Sequence, residues 1–76
     1  MRESILESRR LRHFLTVHEL GSIGQAAEKL LLTQPALSKS IRLLEDALGV
    51  ALFERTSHGM QPTVHGEALA LHAKAI

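Results

Sequence analysis

Polar side chains in the middle of the chain carry groups that hydrogen-bond to the edges of DNA bases. The Gln34 amide can pair with adenine. Lys39 and Arg42 can pair with guanine, and the Ser38 hydroxyl can bond to several bases. Successive residues of an α-helix are about 100° apart, so one side of a helix would carry Pro35, Ser38, Lys39 and Arg42. This spacing predicts a DNA-reading face. The alternative is an ordinary solvated face, because most surface helices are amphipathic.

The opposite side of the same helix is aliphatic. Thr33 is a good N-cap, and Pro35 is tolerated in a first helical turn. Gly49 is expected to end the helix after Leu48. Apolar residues at steps of four, three and four form one stripe: Leu37, Ile41, Leu44 and Leu48. We expect this stripe to anchor the helix in the core, while the N–H groups at its start suit a phosphate.

A first helix is predicted from about Glu7 or Ser8 to Leu20, where Gly21 ends it. The residues before it are expected either to be disordered or to extend this helix. The residues of its core face recur at spacings of three and four: Leu11, Phe14, Leu15 and His18.

A second helix is predicted from Ile23 to about Leu31. Ser22 is its N-cap, and Gln25, three residues later, fits a capping box. Only a few residues separate this helix from the N-cap Thr33 of the next one. The second and third helices therefore form a helix-turn-helix, in which the third would enter the major groove with its N-terminal residues leading.

A short hairpin is predicted after the third helix. Leu52 and Phe53 are apolar, and a polar stretch with a turn near Ser57 to Gly59 follows them. A basic hairpin beside a helix-turn-helix can act as a wing, in which Arg55 would contact a phosphate or the minor groove. The alternative for Arg55 is a solvated turn charge.

A last helix is predicted to begin at the cap Thr63. A heptad-like seam follows at steps of four, three and four: Val64, Ala68, Leu71 and Ala75. The pattern is unfinished at Ile76, so we expect a fragment of a longer protein. The predicted fold is mostly α, a winged helix-turn-helix with a three-helix core, a hairpin wing and a C-terminal linker helix. Residues 1–62 would form the DNA-binding domain, and residues 63–76 would begin the linker helix.

Composition narrows the class of protein. Seventy-six residues make one domain at most, and the absence of cysteine excludes disulfides and thiolate zinc sites. No apolar run of about 18 residues is present, so neither a membrane span nor a membrane partner is expected. The formal charge of +1 is by itself weak support for a nucleic-acid partner.

Five histidines raise the possibility of a metal site. His13 and His18 are five residues apart, and His65 and His72 are seven apart, so no pair has the spacing of a zinc-binding helix. We expect surface or interface histidines, no metal, no cofactor and no enzymatic activity.

The stretch from Ala26 to Glu45 resembles the signature of LysR-type transcriptional regulators. It contains two alanines, a leucine, Thr-Gln-Pro-Ala, a serine, an isoleucine and Leu-Glu in order. The run from Leu48 to Arg55 is similar to the family's Leu-Gly and Leu-Phe-Glu-Arg, and Thr63 with Gly66-Glu67 also matches. The resemblance extends from about Leu11 to Ile76.

The resemblance implies a bacterial, cytoplasmic, nucleoid-associated regulator that binds double-stranded DNA at an interrupted palindrome. It implies a homodimer or tetramer paired through the linker helix at the seam already named, and a small-molecule inducer bound by an effector domain that is absent here. By position, the implied DNA-binding residues are Ser22, Thr33, Gln34, Pro35, Ser38, Lys39, Arg42, Arg55, Thr56, His58 and Thr63.

The chain departs from the family pattern at a few positions. Lys39 stands where many members have arginine, so bidentate reading of guanine is less assured. His58 in the wing stands where members often have arginine or another polar residue. Ile23 replaces a common phenylalanine.

Two alternatives stay open. One is a protein-interaction module that dimerises through the last helix, although such a module has no need for the polar face of the third helix. The other is a winged helix of a different family, against which the ordered signature weighs.

Overall fold

The computed structural model describes the backbone of residues 2–74 and the side chains of residues 8–73. Its described part has these elements in order: α1 (Arg2–Leu20), α2 (Ile23–Leu30), α3 (Gln34–Leu48), β1 (Phe53–Thr56), β2 (Gly59–Pro62) and α4 (Val64–Lys74). The two strands are antiparallel, with Phe53 opposite Pro62 and Thr56 opposite Gly59. The predicted winged helix-turn-helix fold is confirmed.

Helix α1 is longer than the part that periodicity identified. It begins at Arg2, so the residues before Ser8 extend the helix. Neither glycine nor proline occurs between Arg2 and Leu20, and nothing in that stretch stops a helix. The predicted end at Leu20 is confirmed, because Gly21 has a φ of 66° and donates its N–H to the Val17 carbonyl at 2.8 Å.

The core lies where α1, α2 and α3 meet, and β1 and α4 close it. Its buried hydrophobic residues are Phe14, Val17, Ala26, Ala27, Leu37, Ile41, Leu44, Leu52, Phe53 and Ala70. The ring centroids of Phe14 and Phe53 are 5.3 Å apart, so the hairpin is joined to α1 through an aromatic contact. Two small residues of α2, Ala26 and Ala27, let that short helix approach its neighbours closely.

The predicted stripe of α3 is right at three positions and wrong at the fourth. Leu37, Ile41 and Leu44 are buried, whereas Leu48 is 47% exposed. Leu48 lies in the last turn of α3, at an open depression of about 200 Å³ that it shares with Leu11 and other residues. The helix therefore runs one turn beyond the part of the core that covers it.

The hairpin touches the turn between α1 and α2. Gly59 has a φ of 101°, and a Cβ at this position would lie 2.8 Å from the Gly21 carbonyl oxygen. The N–H of Met60 donates to the same oxygen at 3.4 Å. Glycine is needed at position 59 because both the backbone conformation and the close approach exclude a side chain.

Helix α4 packs through one face and exposes the other. Gly66 is buried, and a Cβ there would lie only 2.2 Å from the Leu52 carbonyl oxygen, so α4 approaches the backbone before β1 closely. On the other face, Val64 is 83% exposed, Leu71 is 73% exposed, and Ala68 is also exposed. Ala75, the fourth member of the predicted seam, lies outside the described residues.

Candidate nucleic-acid interface

The joint between α2 and α3 is fixed by caps on both helices. The Ser22 hydroxyl accepts from the Gln25 backbone N–H at 3.2 Å, as its predicted role as N-cap of α2 requires. The Thr33 hydroxyl accepts from the Ala36 N–H at 3.2 Å, which confirms Thr33 as the N-cap of α3. Each hydroxyl acts here as an acceptor, so its own proton can still be donated to a phosphate.

Helix α2 ends one residue earlier than predicted, at Leu30. Leu31 follows with a φ of 58° and a side chain that is 92% exposed. The Leu31 N–H donates to the Glu28 carbonyl at 3.2 Å, and the Leu32 N–H donates to the Ala27 carbonyl at 2.9 Å. These bonds form a Schellman-type ending without its usual glycine. The chain therefore turns at once into α3, as a helix-turn-helix requires.

Helix α3 has the two faces that its sequence predicts. Gln34, Lys39 and Arg42 are exposed, as is Pro35 in the first turn. Ser38 is half-buried beside them. Among the residues that the structure describes, no carboxylate pairs with Lys39 or Arg42. The outer face is therefore open and positively charged, and no other segment in residues 8–73 covers it.

A shallow cavity of about 230 Å³ lies between α3 and the hairpin. Ser38 and Arg42 line it from α3, and Arg55 lines it from β1. Its apolar lining includes Ile41 and Phe53, whose backbones belong to the same two elements. The structure thus brings Arg55 of the wing to the same groove as two of the predicted α3 residues.

The tip of the wing is the two-residue turn Ser57–His58, where the sequence predicted it. Arg55, Thr56 and His58 are all exposed. The Thr56 hydroxyl donates to the Gly59 carbonyl at 3.2 Å and accepts from the His58 N–H at 3.1 Å. Since that proton is used inside the turn, Thr56 could contact a phosphate only by giving up this bond.

Comparison with known proteins identifies the family. The pattern that describes bacterial regulatory helix-turn-helix proteins of the lysR family matches residues 8–67. The chain belongs to the LysR family. It is 42% identical over 71 residues to the HTH-type transcriptional regulator ClcR of Pseudomonas putida, covering 93% of this chain and 24% of ClcR. It is 46% identical over 68 residues to the nitrogen assimilation regulatory protein nac of Escherichia coli, covering 90% of this chain and 22% of that protein.

Solved LysR structures have the same fold. The DNA-binding domain of CbnR in a complex with DNA matches with a TM-score of 0.82 and 36% identity, over 88% of this chain and 77% of that chain. The DNA-binding domain of BenM in a complex with catB site 1 DNA matches with a TM-score of 0.83 and 40% identity, over 88% of this chain and 75% of that chain. This chain spans about a quarter of the length of the full regulators that it matches.

Glu45 has a function in this LysR domain that sequence reasoning did not identify. Its Oε2 accepts from the backbone N–H of Leu52 at 2.7 Å and from that of Phe53 at 3.4 Å. Its carbonyl oxygen accepts from the N–H groups of Gly49 and Val50. Glu45 therefore links α3 to the backbone at the start of the wing. In the sequence, Glu45 stood out only as part of the Leu-Glu pair of the LysR signature. That pair does not explain why an acidic residue is needed at this position.

Thr63 caps α4 as predicted, and its hydroxyl is fully engaged. It accepts from the Gly66 N–H at 3.1 Å and donates to the Ala51 carbonyl at 2.6 Å. The Thr63 N–H in turn donates to the Leu52 carbonyl at 3.0 Å. A phosphate contact from Thr63, as the family resemblance implies, would have to replace one of these bonds.

Two histidines join the helices of the domain. His13 Nδ1 and Ser40 Oγ are hydrogen-bonded at 2.7 Å, and His18 Nε2 and Glu67 Oε1 at 2.5 Å. Burial lowers the pKa of His13, and the positive charges of Arg9 and Arg12 lower it further. His18 therefore links α1 to α4, whereas His13 links α1 to α3.

Within residues 8–73, no three His, Asp or Glu side chains come together as a metal site would require. No helix in the described part of the chain is long and apolar enough to cross a bilayer.

Proposed function

We propose that the chain binds duplex DNA sequence-specifically, as the DNA-binding domain of a LysR-type transcriptional regulator, with α3 in the major groove and the hairpin on the adjacent backbone or minor groove. The observation that carries this proposal is the division of α3 into two faces. Leu37, Ile41 and Leu44 are buried on one face, while Lys39 and Arg42 are exposed and without a carboxylate partner among the described residues on the other. Related domains of CbnR and BenM form complexes with DNA, which supports the same function here.

The proposed contacts divide into two chemical groups. Base edges would be read from α3, by Gln34, Pro35, Ser38, Lys39 and Arg42. Phosphates would be bound by hydroxyl, guanidinium and imidazole donors at the helix starts and the wing, namely Ser22, Thr33, Arg55, Thr56, His58 and Thr63. Within the second group, Ser22, Thr33 and Arg55 are the strongest candidates, because the hydroxyl protons of Thr56 and Thr63 are donated inside the chain.

The assembly that we propose is a symmetric dimer, or a tetramer made of two such dimers, on an interrupted palindrome. The exposed apolar residues of α4, Val64 and Leu71, support this because they leave a seam unpaired within one chain. Residues 63–76 would begin the linker helix, and an inducer would act through an effector domain that this sequence does not contain. The whole protein would be a bacterial cytoplasmic regulator, and this domain would have no catalytic function and no cofactor.

Selection of bound duplexes from a random pool tests sequence-specific binding directly. We expect a shared sequence in the DNA that the chain retains. Gln34→Ala should relax the preference at one base position, because an amide–adenine pair contributes about 1–3 kcal/mol of discrimination. A chain that retains all duplexes equally, or none, would contradict the proposal.

A salt series tests the wing separately. Arg55→Ala should weaken binding to all sequences and reduce the slope of log K against log salt by about one. Lys29→Ala is the matched control, since Lys29 is an exposed cation on α2 that we do not place at the DNA. Equal slopes for the two variants would remove Arg55 from the set of phosphate contacts.

A further inference from the structure

The side chain of Gln34 lies against α2, at the one position of that helix without a side chain. A Cβ built on Gly24 would be 3.4 Å from Gln34 Nε2 and 3.9 Å from its amide carbon. The same point is 3.8 Å from Ser22 Oγ. The Gln34 amide therefore occupies a slot between the first turn of α2 and the first turn of α3, and Gly24 forms the floor of that slot.

Helix geometry does not require glycine at position 24. Gly24 is not among the residues with positive φ, and it occupies the second position of α2, where most side chains are better helix formers than glycine. Glycine costs helix stability here without a conformational reason. A Cβ at position 24 would be in ordinary van der Waals contact with the Gln34 amide, so alanine would fit there and only a larger side chain would press on the amide.

Within the described residues, no hydrogen bond fixes the Gln34 amide beside Gly24. Gln34 is exposed, and its side chain forms no hydrogen bond within the described part of the chain. Its donor and acceptor are both free to pair with a base. Bidentate pairing requires an amide in one orientation, and a side chain already held in that orientation loses less freedom on binding.

We propose that Gly24 is a positioning residue for base recognition: by leaving the slot open, it sets the orientation in which Gln34 presents its amide to an adenine edge. The inference rests on the proposed function, in which Gln34 reads a base. It predicts that the side chain at position 24 determines sequence preference although it need not touch a base. Residue 24 would thus tune specificity through Gln34.

A graded series at position 24 tests this. In Gly24→Ala the new Cβ would only contact the amide at 3.4 Å, so the selected sequence should stay close to that of the parent. Gly24→Val adds two further carbons around that Cβ and should displace the amide. We expect it to reduce discrimination at the Gln34 base position by about fivefold to 150-fold, the range for one bidentate pair. Both variants should fold, because alanine and valine favour helix more than glycine does.

A double-mutant cycle distinguishes positioning from a general structural effect. In a Gln34→Ala background, Gly24→Val should change discrimination no further, because the group that it displaces is gone. Gln25→Ala is the control, since Gln25 is exposed at the next position of α2, about 100° around the helix from Gly24. It should retain the sequence preference of the parent.

Two results would overturn the inference, and they are distinguishable. If Gln34→Ala loses discrimination and Gly24→Val does not, Gly24 has no positioning role while Gln34 still reads a base. If Gln34→Ala keeps full discrimination, the assignment of Gln34 as a reader fails, and the role of Gly24 fails with it. Additive effects of the two substitutions would also exclude action through Gln34.

Discussion

Replacing Glu45 with alanine should destabilise the domain through the base of the wing. Glu45 Oε2 accepts from the Leu52 N–H at 2.7 Å and from the Phe53 N–H at 3.4 Å. A hydrogen bond to a charged acceptor contributes about 1.5–3 kcal/mol, and the longer bond adds less. The Leu52 side chain is fully buried, so its N–H would lose its partner where water has little access. We expect a loss of about 2–3 kcal/mol, equal to a decrease in Tm of roughly 8–24 °C for a domain of this size.

Thermal unfolding followed by circular dichroism measures this effect, and Asp46→Ala is its matched control. Asp46 is the neighbouring exposed carboxylate of the same helix end and holds no backbone N–H in the described part of the chain. Glu45→Gln keeps an acceptor oxygen without the charge, so it should lie between the parent and Glu45→Ala. If Glu45→Ala and Asp46→Ala have the same Tm, the carboxylate contributes only its charge, and the assignment of Glu45 as the anchor of the wing is wrong.

Three further predictions concern the core, α4 and pH. Leu44→Ala should cost about 2–5 kcal/mol in a denaturant titration, and Leu48→Ala much less, because only Leu44 is buried; equal costs would contradict the face assignment. Gly66→Ala should cost about 1–3 kcal/mol, since its Cβ would overlap the Leu52 carbonyl oxygen, and an unchanged melt would show that α4 does not dock there. His13 has a lowered pKa when folded, so the unfolded chain binds its proton more readily, and stability should fall as pH decreases below about 6.5. His13→Gln should flatten this part of the Tm–pH profile; a profile identical to that of the parent would exclude His13 as its source.

Local signals in the sequence predicted most of the fold. Ser22, Thr33 and Gly49 mark helix ends through their own backbone or cap chemistry, and each acts where it was placed. The start of α1 could not be found because no capping or breaking residue marks it. Leu48 was misassigned because a periodic pattern gives the direction of a side chain but not whether another element reaches far enough to cover it.

Long-range polar contacts are the part of the site that the sequence could not reveal. Glu45 binds the N–H groups of residues seven and eight positions later, and Thr63 donates to Ala51, twelve positions earlier. Neither contact produces a periodic pattern in the sequence, because each is made by a single side chain. Its partner is a backbone group, which every residue type can provide. The slot at Gly24 could not be predicted for the same reason, because it involves the Gln34 side chain from another helix.

The contacts of the carboxylates explain how a domain with a formal charge of only +1 can present a cationic surface. The Glu45 carboxylate accepts hydrogen bonds from backbone N–H groups, and the Glu67 carboxylate pairs with His18 where α1 meets α4. Within the described residues, neither neutralises Lys39, Arg42 or Arg55 on the proposed DNA face. Although Glu45 lines the same groove as Arg42 and Arg55, its carboxylate accepts from backbone N–H groups, and within the described residues it forms no ion pair with either cation. Net charge is a poor guide to DNA binding in this domain because it counts a carboxylate that is bound to backbone N–H groups in the same way as an exposed cation without a partner.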